Sequence, residues 1–124
     1  MEKRTFDLGQ RLIAYAVWMM DVVEELPNTR MGNHLSGQLV RSGTAPALTY
    51  GETQSAESRK DFIHKMKIAL KELRETLVCL KLIQCKNNLL SDSRLAAGLK
   101  EGSELTAIFV KSIENAKRND QRSR

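Results

Sequence analysis

The sequence of 124 residues is poor in aromatic residues and proline, and it has no long apolar run. Phe, Trp and Tyr make up 5% of the chain, which also contains only two prolines. β-Branched residues never alternate with polar ones, as they would in a half-buried β-strand. The apolar run that starts at Leu12 ends at Asp21, well short of the ~20 residues that span a bilayer. These shortages argue against a β-rich domain and a membrane-spanning helix, and they favour an all-α fold.

Cysteine is equally scarce, and no targeting segment is recognisable at the start of the chain. Cys79 and Cys85 lie six residues apart, which is neither a redox-pair spacing nor a zinc-site spacing. The sequence begins Met-Glu-Lys-Arg and leads into Phe6-Asp7 rather than into the apolar segment of a signal peptide. We therefore expect two unlinked thiols in a reducing compartment, and a cytoplasmic protein.

Catalytic signatures are missing as well. The chain has no glycine-rich phosphate loop, no serine elbow and no pair of histidines on one helix. Asp61 and His64 are three residues apart, but di-iron bundles use a Glu-x-x-His motif twice together with two further glutamates. Here the fragment occurs once, and His64 lies on the polar side of its helix. The sequence predicts no enzyme activity, no metal and no cofactor.

Helical periodicity predicts four helices, at about residues 7–26, 34–50, 59–86 and 92–118, followed by a basic C-terminal tail. Asp7 and Ser58 can cap the first and third helices, and Pro27 ends the first. Pro46 lies inside the second helix, where we expect a kink. Short connections favour antiparallel neighbours. The prediction is therefore one domain over residues 1–124, an up-down antiparallel four-helix bundle.

The positive charge is concentrated in the third helix. The chain carries a net charge of +5, whereas residues 1–58 sum to −2 and residues 59–86 to +5. Basic side chains recur there at helical spacing and form a band away from the apolar stripe. A face tuned only for solubility would mix signs, so this band is a candidate surface for RNA, DNA or an acidic protein; the alternative is an ordinary solvated face. Its predicted nucleic-acid-binding residues are Lys60, Lys67, Lys71, Arg74 and Lys81, and His64 lies in the same band.

Two segments carry more apolar surface than one small core needs. The first helix is apolar nearly all round, and so is the end of the third helix, from Leu77 to Ile83. Exposed surface of this kind marks an interface, and the simplest cover is another copy of the chain. The predicted oligomer contacts are Trp18, Met20, Val78 and Leu82.

Two charged residues of the second helix stand in an otherwise small and apolar segment. Arg41 and Glu52 are eleven residues apart, nearly in line on one helix face but ~16 Å apart along it. We expect each to be partly buried and paired with a neighbouring helix or subunit rather than with the other.

The order of these pieces resembles the bacterial 23S rRNA intervening-sequence protein family over nearly the whole chain. The matching elements are Phe6-Asp7-Leu8, Leu26-Pro27 where the family has Phe-Pro, Gln38-Leu39-Val40-Arg41 followed by Pro46 and Glu52, Phe62-Ile63, and Glu72-Leu73. The family's Asn-Ile-Ala-Glu-Gly is replaced by Thr49-Tyr50-Gly51-Glu52-Thr53, and its Gly-Ser pair by Ile68-Ala69.

The resemblance implies a four-helix protomer that assembles into a homopentamer and has no settled activity. It also implies kinship with accessory proteins of diversity-generating retroelements, which bind nucleic acid and a reverse transcriptase. Two functions therefore remain open. The protein is a non-enzymatic, self-associating bundle that binds RNA or DNA, or it is an interaction scaffold for another protein.

Overall fold

The computed structural model describes residues 7–86, 90 and 92–122, and these residues form helices without any strand. The helices are α1 (Leu8–Glu25), α2 (Arg30–Thr53), α3 (Arg59–Cys85) and α4 (Asp92–Arg122). The predicted all-α, four-helix fold is confirmed. No described helix is both long and apolar enough to cross a membrane. Phe6, Asn87 and Asn88, and the tail residues Ser123 and Arg124 lie outside the described residues.

Side-chain caps fix where the first three helices begin. The Asp7 carboxylate accepts the backbone N–H of Gln10 at 3.0 Å, and the Ser58 hydroxyl accepts that of Asp61 at 3.0 Å. Both caps were predicted. At α2 the cap is Thr29, whose hydroxyl accepts the N–H of Gly32 at 3.0 Å. Each cap satisfies one of the backbone donors that a helix start leaves unpaired.

The predicted start of α2 near residue 34 is wrong, because the helix already begins at Arg30. The prediction left Gly32 in the preceding loop. Gly32 instead lies in the first turn of α2, pressed against the Pro27 carbonyl. A Cβ at this position would be 1.9 Å from the Pro27 oxygen, so the tight entry into the helix requires glycine. The far ends of α2 and α4 also extend beyond the predicted residues 50 and 118.

Pro46 lies inside α2, and its side chain is buried in the bundle. The helix continues past it to Thr53, so the proline does not stop the helix. The kink expected at this position remains a prediction.

Helices α1 and α4 contact each other in opposite senses along their lengths. Arg11, near the start of α1, meets Glu101 and Glu104 of α4, whereas Glu25 at the end of α1 meets Arg94 near the start of α4. This is the contact order of antiparallel neighbours. The chain contacts run from α1 to α2, α3, α4 and back to α1. Within the described residues, α1 and α3 therefore lie diagonally across the bundle.

The core is closed by small residues that let large side chains interlock. A Cβ added to Gly102 would lie 2.6 Å from the Tyr15 hydroxyl and 2.7 Å from Leu77. The Tyr15 hydroxyl donates to the Gly98 carbonyl at 3.3 Å, and burial raises the pKa of this phenol. Glycine at position 102 thus allows α4 to approach Tyr15 and Leu77 closely. The largest fully buried side chains are Tyr15, Phe109, Leu12, Met19, Leu39, Met66, Leu73, Leu80, Ile83, Leu95, Leu105 and Val22.

Candidate nucleic-acid interface and assembly surfaces

The outer face of α3 carries two surfaces of opposite character, one after the other. The basic residues that were predicted to form a band on this helix are all exposed. Val78 lies about five helical turns after Lys60, and so continues the same side of the helix. We call the first part the basic half; it consists of Lys60, His64, Lys67, Lys71 and Arg74. The second part, the apolar half, consists of Val78, Lys81, Leu82 and Cys85.

The three acidic residues of α3 have their contacts with residues outside the basic half. Asp61 accepts from Lys65 at 3.1 Å and from the Glu57 backbone N–H at 3.2 Å. The Glu57 N–H and then Lys65 hold the pKa of the Asp61 carboxyl below its usual range. These contacts tie up the acid that lies closest in sequence to Lys60.

The other two acids face α2. Glu72 accepts the Thr49 hydroxyl at 2.9 Å, and burial raises the pKa of its half-buried carboxyl. Glu75 lies 3.6 Å from the Arg41 guanidinium. Within the described part of the chain, no cation of the basic half comes within 4.0 Å of a carboxylate. As far as the described residues go, the basic half is therefore a positive surface without an ion-pair partner.

Lys81 is set apart from the other four predicted nucleic-acid-binding residues. It lies between Val78 and Leu82, which are 58% and 55% exposed. A charge next to such side chains borders an apolar patch rather than a cationic one. Sequence spacing placed Lys81 on the right face but did not distinguish the two halves of that face.

A second exposed apolar patch lies on α1. Its members Ile13, Val17 and Met20 are 57%, 46% and 43% exposed, and their spacing of four and three residues aligns them on one side of the helix. We call this set the α1 patch. Met20 was predicted to lie in an interface, and Ile13 and Val17 complete the row. Trp18 is half-buried and packs against the core, so it lies at the edge of the α1 patch rather than at its centre.

The α1 patch and the apolar half of α3 lie at the same level of the bundle. Gly98 of α4 sits between the two helices there, because a Cβ at Gly98 would lie 3.4 Å from Leu80 and 3.5 Å from Met19. One turn further along, Gly102 likewise approaches Tyr15 and Leu77. Since α1 and α3 are diagonal, their outer faces point in opposite directions. The protomer thus presents two apolar patches on opposite sides at one height.

Arg41 and Glu52 are more exposed than predicted. The Arg41 side chain is 60% exposed, although it does meet Glu75 of the neighbouring helix and receives support from Gln38 at 3.0 Å. Glu52 is exposed beside Leu48, which is itself 71% exposed. The expected burial is therefore wrong for the single chain, because both residues lie on the outer side of α2. A contact with another subunit at this edge remains a prediction.

A groove between α3 and α4 was not anticipated from the sequence. It encloses about 780 Å³. Its floor is aliphatic, and its rim is mainly cationic, because two helices bring separate parts of the sequence together. The signal lay in Lys117 and Val110 of α4, which no pattern within α3 could reveal. The floor consists of Leu70, Val78, Val110 and Ile113, and the rim of Lys67, Lys71, Arg74, Lys117, Glu75 and Glu114.

The described residues contain no cluster of three or more potential metal ligands. His64 is exposed, and Asp61 is held by Lys65 and the Glu57 backbone rather than directed toward His64. Cys79 is buried and Cys85 is exposed, and both are free thiols. This arrangement matches the expectation of two unlinked cysteines.

The fold and its charged outer face define a small helical-bundle protein, and comparison with known proteins places it more closely. The model of the 23S rRNA-intervening sequence protein family matches residues 4–111. The chain belongs to this family, as its sequence motifs predicted. Among curated proteins, none is significantly similar to it.

A solved structure agrees with this assignment. The chain is similar to a protein of unknown function from the S23 ribosomal protein family of Bacteroides thetaiotaomicron VPI-5482, with 27% identity and a TM-score of 0.80. The match covers 86% of this chain and 98% of that one. The two proteins therefore share one bundle architecture over almost their entire common length.

Proposed function

We propose that this protein is a non-enzymatic, cytoplasmic bundle that self-associates and binds RNA or DNA through the basic half of α3. The observation that carries this proposal is the unneutralised charge of Lys60, Lys67, Lys71 and Arg74. Exposed cations without internal partners contribute little to folding, but they are what a phosphate backbone requires. The row extends about 21 Å along the helix, which spans several phosphates of an extended strand.

The contacts available to this surface are of one kind. No aromatic side chain is interleaved with the basic half, so base stacking is not its mode of binding. Lysine and arginine would instead meet phosphate oxygens, which position a nucleic acid without reading its sequence. Binding should consequently be insensitive to base sequence and strongly weakened by salt.

Self-association is the second part of the proposal, and the two apolar patches support it. Two different patches on opposite sides of a protomer can pair with each other head to tail, which closes into a ring or continues as a filament. Because the patches lie at one height, successive protomers need no rise along the bundle axis, which is one condition for a closed ring; the other is that each contact rotates the next protomer. Five copies is the number that the family resemblance implies. Such a ring would multiply a weak phosphate contact through avidity.

Salt-dependent binding tests the nucleic-acid part directly. A fluorescein-labelled single-stranded RNA and a duplex DNA would be titrated with the protein at several salt concentrations, with fluorescence anisotropy as the readout. We expect both to bind, with a negative slope in a plot of log affinity against log salt. Absence of binding at every salt concentration would rule out the nucleic-acid function and leave the protein-scaffold alternative, which the α3–α4 groove favours.

A further inference from the structure

The α3–α4 groove has a chemistry that nucleic-acid binding does not explain. A phosphate backbone would use the cations at its rim and leave the aliphatic floor empty. In the single protomer, Val78 and Val110 leave apolar surface accessible in this groove, over buried Leu70 and Ile113. Val78 also belongs to the apolar half, so an occupant of the groove and a neighbouring copy would share this residue. From Lys67 to Val78 the groove runs for about 16 Å along α3, which is the length of three turns of a helix.

We propose that this groove is a docking site for a short amphipathic helix with acidic flanks, supplied by a partner protein. A helix laid between two others buries an apolar row at i, i+3, i+4 and i+7. The floor between α3 and α4 fits such a row. The rim then meets the flanks of the incoming helix, and cations on both walls select acidic ones.

The charge of the groove rim argues against two other occupants of the groove, the C-terminal end of the chain itself and the α1 patch of a second copy. The rim has Lys67, Lys71 and Arg74 on α3 and Lys117 on α4, against Glu75 and Glu114. Glu75 lies beside Arg41 of α2, so Glu114 is the main acidic side chain left facing an occupant. The chain's own end after Lys117 is basic, with three arginines and one aspartate, and would be repelled. The α1 patch of a second copy has its acidic residues, Asp21 and Glu24, at the level of the apolar half rather than beside the rim cations.

Synthetic peptides test this inference on the full chain. The probe is a labelled 16-residue peptide with leucines along one helical face and glutamates beside them, measured by fluorescence anisotropy. One control peptide scrambles the same residues, so that its charge is unchanged but its apolar row is lost. The other replaces each glutamate by lysine. We expect the amphipathic acidic peptide to bind roughly tenfold more tightly than either control.

Two charge reversals separate the groove from the basic half as a whole. Lys117→Glu changes the groove wall on α4 and lies outside the basic half, whereas Lys60→Glu changes the basic half and lies outside the groove. Lys117→Glu should weaken the acidic peptide roughly fivefold to tenfold and change RNA affinity less. Lys60→Glu should do the reverse. Val110→Ser, which removes apolar floor without altering charge, should weaken the peptide and spare RNA; circular dichroism confirms that each variant folds.

The outcomes distinguish this inference from the proposed function. Equal affinity for the scrambled peptide, or no effect of Lys117→Glu and Val110→Ser in folded protein, overturns the docking site. If RNA binds and the amphipathic peptide does not, the docking site is wrong and the nucleic-acid function stands. If the peptide binds and RNA does not, the groove is the functional site and the nucleic-acid function is wrong.

Discussion

The basic half and the apolar half lie on the same side of α3, and both are exposed to solvent. They differ in the kind of contact that each lacks. The basic half has charges without internal partners, and the apolar half has side chains without internal cover. In the first case the missing partner is an anion, and in the second it is another apolar surface. Position along the axis therefore matters as much as position around it, because one face of a single helix can carry two different contacts.

The largest difference between the two halves should appear when a charge is placed in the apolar half. Leu82→Glu should reduce the protein from an oligomer to a monomer, because an unpaired carboxylate in an apolar interface costs about 3 kcal/mol or more, over a hundredfold in association. Leu82 is more than half exposed, so folding should be unaffected. Sedimentation or light scattering at micromolar concentration gives the mass. A wild-type monomer under these conditions would contradict the self-association proposal.

Mixing two variants, each with a different patch disrupted, makes this test more specific. Val17→Glu destroys the α1 patch, and Leu82→Glu destroys the apolar half of α3. In a head-to-tail assembly each variant alone is monomeric, but an equimolar mixture forms a heterodimer across the one interface left intact. If each patch instead pairs with itself, each variant alone should form a homodimer through its intact patch.

The next largest effect concerns the basic half. Reversing both Lys67 and Lys71 to Glu should reduce RNA and DNA affinity by one to two orders of magnitude at low salt, and each lost phosphate contact should lower the log–log salt slope by about 0.7 to 0.9. Helicity and mass should match the parent. If the double variant binds nucleic acid as well as the parent does, the basic half is a solvated face, and the C-terminal tail with Lys117 and Arg118 becomes the candidate.

A substitution in the core should lower the stability of the whole bundle, and so affect the basic half and the apolar half together. Gly102→Ala introduces a methyl group where Tyr15 and Leu77 already lie within 2.7 Å, which should lower the free energy of unfolding by about 1 to 3 kcal/mol. Gly37→Ala is the matched control, since nothing lies within 4 Å of its Cβ position in α2. That change should stabilise the protein by up to ~1 kcal/mol. Urea unfolding measures both, and an unchanged midpoint for Gly102→Ala would contradict the close contact.

The smallest effect should come from Lys81, at the boundary between the halves. If it belongs to the apolar half, as its neighbours indicate, Lys81→Ala should change assembly by less than ~1 kcal/mol and leave the salt slope of nucleic-acid binding unaltered. Lys60→Ala is the control, and it should lower the slope by nearly one unit. A lowered slope for Lys81→Ala with unchanged mass would return Lys81 to the nucleic-acid surface.

How far the sequence predicted this molecule depends on whether a feature lies within one helix or between two. Asp7 and Ser58 were identified as caps because a cap acts on its own next turn. The exposed row of basic residues on α3 followed from periodicity alone. Gly32 was misassigned because its reason for being glycine is the carbonyl of Pro27, which only the folded turn brings near. The α3–α4 groove was missed for the same reason, since residues 32 (Val78 and Val110) to 50 (Lys67 and Lys117) positions apart form its two walls.

Among the described residues, Lys60, Lys67, Lys71 and Arg74 have no ion-pair partner, and this has a consequence for how the protein can evolve. Arg11 is held by Glu101 and Glu104, so a change at Arg11 leaves two carboxylates without their cation. A change at Lys67 breaks no ion pair among the described residues. Selection can therefore act on the basic half only through whatever it binds, and a lineage that lost the ligand could lose these charges without losing the bundle.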